Sequence, residues 1–437
     1  MSAAEVVWAR VPGSKSITNR SLLLAAAAPG CSRLVGPLVS DDTLSFRTAL
    51  RTLGTTVVDD ADAWAVTGTG TGPDGDAAVW CADAGTAARF LPPFVATGRG
   101  TVRFHGSEQL RARPLRPLLD ALADLGAEVH GTAMPFTVAA RGLPGGRVTL
   151  DSRLSSQFLS GMLMAAPLMT GRLTVDVPRL VSRPYLDMTL ALMRRFGADV
   201  EQRARAEGST IVVRSGGYTA TDLFIEPDAS TASYLFAAAA ITTSTVRVRG
   251  LGTDSLQGDS AFVDVLRRAG ARVTATRDWI EVTGNGPLRG GFTVDMGDIS
   301  DTFMTLAAIA PLADAPITIT GIGHARLKEC DRVAAIAENL ALLGIRTQTS
   351  QDRITVHPGT PVAGAALGCR RDHRIAMSFS VLGLRVPGIV LDDPACVSKT
   401  FPGFHEELDR LFGSGAPLPR SLPPTRRYDD AHVHPRT

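Results

Sequence analysis

Lysine is rare in this chain, and its rarity marks residues that could do chemistry. Of the 45 basic residues, 42 are arginine and three are lysine, at Lys15, Lys328 and Lys399. Lysine is a compact charge whose pKa can be tuned, whereas arginine is a planar fork that stays charged. A site that needs a lysine therefore cannot accept an arginine in its place. The three lysines are therefore candidates for a site that binds anions or transfers protons. The alternative is that these three positions are lysine by chance.

Six apolar, Ala/Leu/Met-rich segments each follow a cluster of Ser, Thr, Asp or Gly. The segments begin at Ser14, Gly85, Ser156, Ser230, Asp301 and His373. These residue types favour helix N-caps, and a helix N-terminus offers free N–H groups and partial positive charge to anions. If several such ends converge, they form a site for several anions that needs neither a metal nor a nucleotide-binding fold.

The elements that would position these residues recur at intervals of 71 to 74 residues. Each repeat reads as an apolar helix, a short strand, an amphipathic helix that ends at a glycine, and two more strands. The stop glycines are Gly54, Gly126, Gly197, Gly270 and Gly344. Mixed repeats of this length predict duplicated α/β modules. Six modules exceed one core, so we expect two domains of three modules, with the apolar helices buried all round.

Composition narrows the class of protein. The 437 residues are 44% apolar and 20% charged, which is typical of a soluble globular protein. A net charge of +2 and 5% aromatic residues argue against nucleic-acid binding. No apolar run approaches the roughly 20 residues of a membrane span, and residues 1–10 lack a secretory signal pattern. Residues 413–437 are rich in Pro, Arg and Ser, and we expect a disordered tail.

The five cysteines are odd in number, widely spaced and without a CxxC pair. They are Cys31, Cys81, Cys330, Cys369 and Cys396. This pattern favours reduced thiols over disulfides or a zinc site. We therefore expect a cytoplasmic enzyme without a metal.

Eight short motifs between Val11 and Leu411 sharpen this interpretation. They are Pro12-Gly13-Ser14-Lys15-Ser16 with Asn19-Arg20, Ala84-Gly85-Thr86 with Arg89, Arg113-Pro114, Ser155-Ser156-Gln157-Phe158, Ser182-Arg183-Pro184-Tyr185, Leu327-Lys328-Glu329-Cys330-Asp331-Arg332, Asp372-His373-Arg374-Ile375-Ala376-Met377 and Lys399-Thr400-Phe401-Pro402. Together and in this order they resemble the 5-enolpyruvylshikimate-3-phosphate synthase family of enolpyruvyl transferases.

The resemblance implies an α/β fold of two inverse α/β-barrel-like domains. Each domain would hold three βαβαββ repeats with buried apolar helices, and the active site would lie in the interdomain cleft. Residues 1–13 and 228–412 would form the first domain, and residues 14–227 the second. We expect a monomer.

The resemblance also implies a reaction without a cofactor. The enolpyruvyl group of phosphoenolpyruvate would pass to the 5-hydroxyl of shikimate 3-phosphate, with release of phosphate, in the shikimate pathway to chorismate and aromatic amino acids. Each substrate carries a carboxylate and a phosphate, which arginine forks and lysine point charges neutralise.

Site residues follow from the resemblance, position by position. Phosphoenolpyruvate would be held by Lys15, Gly85, Arg113, Gln157, Arg332, Arg374 and Lys399. Shikimate 3-phosphate would be held by Lys15, Ser16, Arg20, Ser155, Ser156, Gln157, Ser182, Asp301, His324 and Lys328. The catalytic groups would be Asp301, Glu329 and Lys15, because a base must take the hydroxyl proton and an acid must protonate the vinyl carbon.

Structural roles are the alternatives for the two carboxylates and for His373. Without the resemblance, Asp301 before an apolar helix is an ordinary N-cap, and Lys-Glu-x-x-Arg around Glu329 is a solvated helix face. His373 could be a base on composition alone, but it precedes the substrate-binding arginine of the motif, and we give it a supporting role.

Three positions depart from the family pattern. Asp83 stands where many members have Asn, His324 replaces an Asn near the acceptor phosphate, and Phe90 stands where Pro is frequent. A protonated His324 could still donate a hydrogen bond. Asp83 would place a carboxylate near an anion site. These changes leave open a relative with an altered acceptor in a specialised pathway.

Two other functions are alternatives. The enolpyruvyl transferase that acts on UDP-N-acetylglucosamine carries a loop cysteine and Lys-Asn near its start, whereas this chain has Arg111-Ala112-Arg113-Pro114 and Lys15-Ser16. A non-catalytic anion-binding relative would be expected to lose one of the carboxylates or lysines. The resemblance further implies sensitivity to glyphosate, because Gly85 leaves room where insensitive members carry alanine.

Overall fold

The computed structural model describes residues 7–205, 208–413 and 420–421. The helices are α1 (Lys15–Ala27), α2 (Asp41–Thr52), α3 (Gly85–Ala96), α4 (Glu108–Arg111), α5 (Arg116–Asp124), α6 (Ser156–Ala165), α7 (Arg183–Arg195), α8 (Ala229–Thr242), α9 (Phe262–Arg268), α10 (Phe303–Ile309), α11 (Arg332–Leu342), α12 (His373–Gly383) and α13 (Phe404–Phe412).

Short strands separate the helices. They are β1 (Val7–Ala9), β2 (Gly30–Val35), β3 (Thr56–Asp60), β4 (Ala63–Gly68), β5 (Ala77–Trp80), β6 (Arg99–His105), β7 (Glu128–His130), β8 (Phe136–Arg141), β9 (Gly146–Thr149), β10 (Leu173–Val177), β11 (Val200–Ala204), β12 (Ser209–Val213), β13 (Leu223–Phe224), β14 (Thr245–Arg249), β15 (Arg272–Ala275), β16 (Trp279–Thr283), β17 (Phe292–Asp295), β18 (Ile317–Thr320), β19 (Thr347–Thr349), β20 (Arg353–Val356), β21 (Ala366–Leu367), β22 (Val390–Leu391) and β23 (Arg420–Ser421).

Each repeat contributes to one small sheet; five of these sheets have four strands, and the sixth, β21-β22-β23, has three parallel strands among the described residues. In one repeat, β5 pairs in parallel with β6, β6 pairs antiparallel with β8, and β8 pairs antiparallel with β7. The orders β9-β10-β12-β11 and β17-β18-β20-β19 have the same plan. The parallel pair β5–β6 needs a crossover, which the buried helix supplies. The consecutive antiparallel strands β7 and β8 need only a hairpin turn. The repeats with four-stranded sheets are therefore βαβαββ.

The first sheet of each half borrows its edge strand from elsewhere in the chain. Strand β13 pairs in parallel with β2, and the N-terminal β1 pairs in parallel with β14. The chain therefore passes twice between the halves, and the two crossings lie side by side. The backbone N–H of Ser14 donates to the carbonyl of Glu226 at 2.7 Å, and that of Asp228 donates to the carbonyl of Pro12 at 2.8 Å.

Gly13 is required at this crossing. A Cβ on Gly13 would lie 2.1 Å from the carbonyl oxygen of Gly36. The backbone cannot move aside as a flexible side chain can, so the close approach of Gly13 to Gly36 needs a residue without a side chain.

The six apolar helices form the interior, as their sequences predict. Every residue of α3 is buried, and α8 is buried from Ala229 to Ile241. Helices α1, α3 and α6 pack together in one half, and α8, α10 and α12 in the other. The five stop glycines all have the left-handed φ that ends a helix, between 75° and 100°.

Two separate hydrophobic cores divide the molecule. One runs from Ile17 to Ile225, and the other runs from Ala229 to Leu408 with Ala9 and Val11 packed against it. On these contacts we propose residues 14–227 as one domain, and residues 1–13 with 228–412 as the other.

The C-terminal segment lies largely outside the described residues. Of residues 413–437, for which we expect a disordered tail, the structure describes Gly413 and Arg420–Ser421. The latter two form β23, which pairs in parallel with Val390–Leu391. Within the described ranges, no helix has both the length and the apolar character that crossing a bilayer requires.

Candidate active site

The N-termini of buried helices face a cleft between the two domains. Side chains of Ser14, Ser155, Asp228 and Asp372 each cap such a helix by accepting a backbone N–H of its first turn. Nineteen residues line the cleft: Lys15, Ser16, Arg20, Thr86, Arg89, Arg113, Leu154, Ser155, Ser156, Gln157, Ser182, Tyr185, Asp301, His324, Leu327, Lys328, Glu329, Arg332 and Arg374.

Arg332 is the centre of the charged cluster. Its side chain is 1% exposed and touches three carboxylates. It donates to Asp372 at 2.7 Å, to Glu329 at 2.7 Å and to Asp301 at 3.0 Å. Burial alone would lower the pKa of Arg332, but these three carboxylates raise it. Arg332 therefore stays charged and fixes the distance between the two predicted catalytic carboxylates.

Potential donors face all four acceptor positions of Asp301. An ionised carboxylate has about four lone-pair positions. Oδ1 accepts from Lys328 Nζ at 2.7 Å and from Arg332 Nη1 at 3.0 Å. Oδ2 accepts from Arg374 Nη2 at 2.9 Å and from the Tyr185 hydroxyl at 3.2 Å. Asp301 is not the N-cap of α10, which is Thr302, so ordinary capping does not explain its position.

The surrounding cations keep both carboxylates ionised. Burial acts to raise the pKa of Asp301, but the charges of Arg374, Lys328 and Arg332 hold this pKa well below its ordinary value. Burial likewise acts to raise the pKa of Glu329, and the cations around it, Arg332 first, hold that pKa well below its ordinary value. Each carboxylate can become a better base only when a substrate anion draws these cations away.

The three lysines come together in this region from distant parts of the chain. Lys328 bonds Asp301, and Lys399 Nζ lies 3.6 Å from Glu329 Oε1. Lys15 lines the cleft, with its Nζ 3.6 Å from Asp42 Oδ2. The three lysines of the chain thus all lie at or beside one site.

Two buried arginines have no carboxylate partner among the described residues. Arg20 donates to Thr189, to Ser160 and to the carbonyl of Ser16, at 2.8 to 3.2 Å. Burial lowers the pKa of Arg20 to about 10. A buried cation without a counter-ion is costly, so Arg20 is suited to meet an anionic ligand.

Arg89 is the second of these arginines, and it is absent from the predicted site set. It is 2% exposed and donates to Gln157 Oε1 at 2.8 Å. Burial, together with the charge of Arg113, lowers its pKa well below the ordinary value. The sequence does carry a signal for a functional Arg89, because it is the one charged residue in the otherwise apolar helix α3. Gln157, predicted to contact substrate, is positioned by it.

Arg113 lies directly over the start of α3. A Cβ on Gly85 would be 2.6 Å from Arg113 Nη1, 2.7 Å from Arg89 Nη1 and 2.8 Å from Arg113 Nη2. The missing side chain of Gly85 therefore lets two guanidinium groups approach the helix N-terminus. Gly85 and Lys399 border the cleft through its lining residues: Gly85 lies against Arg113, and Lys399 lies 3.6 Å from Glu329 and also lines a neighbouring pocket with Asp83.

His324 joins the two domains through serine hydroxyls. Its Nε2 lies 2.8 Å from Ser300 Oγ and 3.2 Å from Ser182 Oγ. Burial, with the charge of Lys328, lowers its pKa to about 4. The ring is therefore neutral at neutral pH, where it offers one N–H donor and not the two of the protonated form.

The remaining predicted residues also border the cleft. Ser155 and Ser156 begin α6, and Ser155 Oγ accepts the backbone N–H of Gln157 at 3.2 Å. Phe90, a departure from the family pattern, lies beneath the Arg20 guanidinium at 5.2 Å and is fully buried. It therefore packs behind the site and does not enter it.

Three residues absent from the predicted set also shape the site. Asp372 holds Arg332, Tyr185 bonds Asp301, and the buried Asp259 lies 3.3 Å from the Tyr185 hydroxyl. His373 is fully buried, and within the described ranges neither ring nitrogen has a hydrogen-bond partner. Burial and the nearby cations, Lys15 first, lower the pKa of His373 well below its ordinary value, so the ring is neutral.

The cleft opens outward into a groove of about 1430 Å³. Ser182 and His324 border both spaces. Arg153, Arg179 and Arg183 lie on one wall, and Asp295, Asp298 and Asp352 lie on the other.

Comparison with known proteins gives consistent results. A family model described as EPSP synthase (3-phosphoshikimate 1-carboxyvinyltransferase) matches residues 4–408. The 3-phosphoshikimate 1-carboxyvinyltransferase 2 of Halalkalibacterium halodurans is 40% identical over 408 residues, 92% of this chain and 91% of the relative. The 3-phosphoshikimate 1-carboxyvinyltransferase of Nostoc punctiforme is 41% identical over 403 residues, 90% of this chain and 93% of the relative.

A solved structure is similar as well. The EPSP synthase from Acinetobacter baumannii superposes with a TM-score of 0.77 at 26% identity, covering 95% of this chain and 96% of that one. This likeness confirms the predicted fold of two inverse α/β domains.

Proposed function

This chain belongs to the EPSP synthase family and is a 3-phosphoshikimate 1-carboxyvinyltransferase, and we propose that the cluster around Arg332 is where it carries out the reaction. The enzyme transfers the enolpyruvyl group of phosphoenolpyruvate to shikimate 3-phosphate in the shikimate pathway. One observation supports this location above all. Asp301 and Glu329 share one buried arginine, Lys328 and Lys399 lie beside them, and Lys15, the third lysine of the chain, lines the same cleft.

The contacts divide the site into two sides. We assign shikimate 3-phosphate to the side of Ser16, Arg20, Ser182 and Lys328, where Arg20 suits a carboxylate and Lys328 a phosphate. Neutral His324 would add one hydrogen bond to that phosphate. Ser155, Ser156 and Gln157 would line the same side.

Phosphoenolpyruvate is assigned to the opposite side. Arg113, Arg374 and Lys399 supply charge there, and the Gly85 backbone at the start of α3 adds the partial positive charge of a helix N-terminus. Lys15 would lie between the substrates. Arg89, which sequence reasoning did not place, is added to this set because it contacts both Gln157 and the space above Gly85.

The addition step needs one base and one acid. Asp301 lies on the acceptor side beside Lys328, so we assign it as the base that takes the 5-hydroxyl proton. The hydroxyl oxygen then bonds to C2 of phosphoenolpyruvate. Glu329, which lies beside Lys399, is assigned as the acid that protonates C3, and the product is a tetrahedral ketal. Acid–base groups of this kind typically contribute about 10²–10⁴-fold.

The elimination step reverses the proton transfer at C3. The bond from C2 to the phosphate oxygen breaks, Glu329 takes back a C3 proton, and the double bond re-forms. The phosphate leaves with the proton that the hydroxyl gave up, and we assign Lys15 as the group that passes it on. Protons and bonds then balance without a cofactor.

Substrate binding would activate both carboxylates. Lys328, Arg332 and Arg374 donate to Asp301 in this structure, and a bound phosphate or carboxylate would compete for the same donors. Each cation drawn to substrate raises the pKa of Asp301 toward its ordinary range. The same competition for Lys399 and Arg113 would let Glu329 hold a proton.

Two further assignments belong to the proposal. We propose a monomer, because one chain supplies both sides of the cleft. We propose the cytoplasm as its location, since the five cysteines are free thiols.

The test is phosphate release from phosphoenolpyruvate. We expect release only when shikimate 3-phosphate is also present, and much slower release with shikimate, which has no phosphate for Lys328. UDP-N-acetylglucosamine serves as the negative control. Release that needs no acceptor, or that proceeds equally well with the control acceptor, would refute the assignment of the acceptor side. The preserved carboxylates and lysines argue against a non-catalytic relative, which would release no phosphate at all.

A further inference from the structure

A second buried carboxylate lies behind Asp301. Asp259 is 4% exposed, and its Oδ2 lies 3.3 Å from the Tyr185 hydroxyl and in hydrogen-bond contact with Ser230 Oγ. Its Oδ1 has no hydrogen-bond partner among the described residues. No cation bonds Asp259 there, whereas three bond Asp301. Two carboxylates are thus placed in opposite electrostatic settings.

Tyr185 connects them. Its hydroxyl lies 3.2 Å from Asp301 Oδ2 and 3.3 Å from Asp259 Oδ2. A phenol has one hydrogen, so it can donate to one carboxylate at a time. When it donates to Asp301, Oδ2 is filled by Tyr185 and Arg374 and cannot accept the proton of a substrate hydroxyl. When it donates to Asp259, one acceptor position on Asp301 is free.

We propose that Asp259 is a positioning residue for the base: its ionised carboxylate draws the Tyr185 hydrogen away from Asp301 and frees Oδ2 for the 5-hydroxyl. When Asp259 carries a proton, it has less attraction for that hydrogen, and Tyr185 donates to Asp301. No covalent bond changes in this step, because only the phenol O–H rotates. The inference rests on the proposed role of Asp301 as the base.

The charges around Asp259 set the pH range. Burial first, and then the charge of the neighbouring Asp301, raise the pKa of Asp259 to about 7, although Ser230 and Arg374 oppose them. The groups that face it are Tyr185, Ser230, Arg374, Asp228 and Asp301. The protonated form prevails below this pKa, so Tyr185 blocks Asp301 at lower pH. We therefore expect kcat to rise with pH through this range.

The experiment compares kcat–pH profiles at saturating substrates for the parent, Asp259→Asn, Tyr185→Phe and the double variant. The amide of Asp259→Asn cannot attract the phenol hydrogen as an anion does, so kcat should fall by about tenfold or more, the worth of one hydrogen bond to a charged group. The limb near pH 7 should vanish. Tyr185→Phe keeps the ring that packs 5.9 Å from Arg20 but removes the blocking hydroxyl. The double variant should therefore recover most of the rate that Asp259→Asn loses.

Asp264→Asn is the matched control, since Asp264 is an exposed carboxylate that pairs with Arg267 on α9. It should match the parent profile. A limb that persists in Asp259→Asn would overturn the inference, and so would a double variant no faster than Asp259→Asn, because a merely structural defect is not rescued by Tyr185→Phe. Asp301→Asn, measured alongside, tests the proposed base directly. If that variant stays active, the base assignment fails whatever the Asp259 profiles show.

Discussion

Asp83 Oδ2 lies 3.4 Å from Arg371 Nη2, and this ion pair joins the two domains. Asp83 Oδ1 accepts from Ser107, and the Asp83 carbonyl accepts from Lys399 Nζ at 3.2 Å. The carboxylate therefore has two partners of its own. Arg371 has a φ of 54°, a left-handed conformation that is uncommon outside glycine. Because Arg371 and Ser107 bind its two oxygens, the Asp83 carboxylate repels an anion bound nearby less than an unpaired carboxylate would.

Breaking this pair should cost little stability. Arg371 is 64% exposed and Asp83 is 33% exposed, and exposed ion pairs are worth about 0–1 kcal/mol. We expect Asp83→Asn and Arg371→Asn to lower the free energy of unfolding by less than about 1 kcal/mol each. Urea unfolding of both single variants and the double variant gives the coupling energy. A coupling well above this range, unchanged by added salt, would contradict the prediction.

Asp301→Asn and Glu329→Gln should each lose most turnover while remaining folded. Both changes keep an oxygen that can accept from Arg332 but remove the ability to exchange a proton. The expected loss in kcat is about 10²–10⁴-fold. Phosphate release measures it, and far-UV circular dichroism checks the fold. Near-parent rates in both variants would remove the two carboxylates from the mechanism.

Lys15, Lys328 and Lys399 should resist replacement by arginine. Lys328 reaches Asp301 at 2.7 Å in a space already shared with Arg332 and Arg374, and a planar fork is bulkier than an ammonium group. We expect kcat/KM to fall at least about tenfold in each variant. Arg277→Lys, at an exposed ion pair with Asp254, is the reverse control and should be neutral. If all three variants match the control, the rarity of lysine is compositional drift.

Glyphosate should compete with phosphoenolpyruvate, and Gly85→Ala should weaken the inhibitor more than the substrate. The added Cβ would lie under 3 Å from the guanidinium groups of Arg113 and Arg89, so both must shift toward the pocket. Glyphosate is longer than phosphoenolpyruvate, so we expect this shift to weaken its binding more. Inhibition constants and KM for both proteins, at fixed shikimate 3-phosphate, check the prediction. Equal changes in both constants would show that the methyl group acts through charge position and not through pocket length.

Acid should destabilise the parent through the charged cluster. The folded-state pKa values of Asp301 and Glu329 lie below their ordinary values of 3.8 and 4.5. Their stabilising contribution is therefore complete above these ordinary values and is lost as pH falls below them toward the folded pKa values. We expect the free energy of unfolding to fall more steeply in this acid range for the parent than for an Asp301→Asn, Glu329→Gln double variant. Urea unfolding at several acid pH values measures both slopes, and identical slopes would contradict the prediction.

The sequence by itself determined the periodic features of the molecule. The six repeats, the buried helices and the stop glycines depend on hydrophobic spacing and backbone conformation, which are local properties. The lysines and the two carboxylates were also identified from the sequence, because a rare residue type and a motif are visible without coordinates. The burial of the six apolar helices follows directly from their composition.

Only the tertiary structure decided which groups touch. The bonds of Asp301 to Tyr185 and of Arg332 to Asp372, and the position of Asp259 behind them, join residues 40 to 116 positions apart, and the Asp301–Tyr185 bond spans the two domains. The neutral state of His324 depends on its burial beside Lys328, which no spacing reveals. Hydrophobic patterning specifies which face of an element is buried, whereas charge and proton position depend on distances of a few ångströms between elements. Those distances exist only once the two cores have packed.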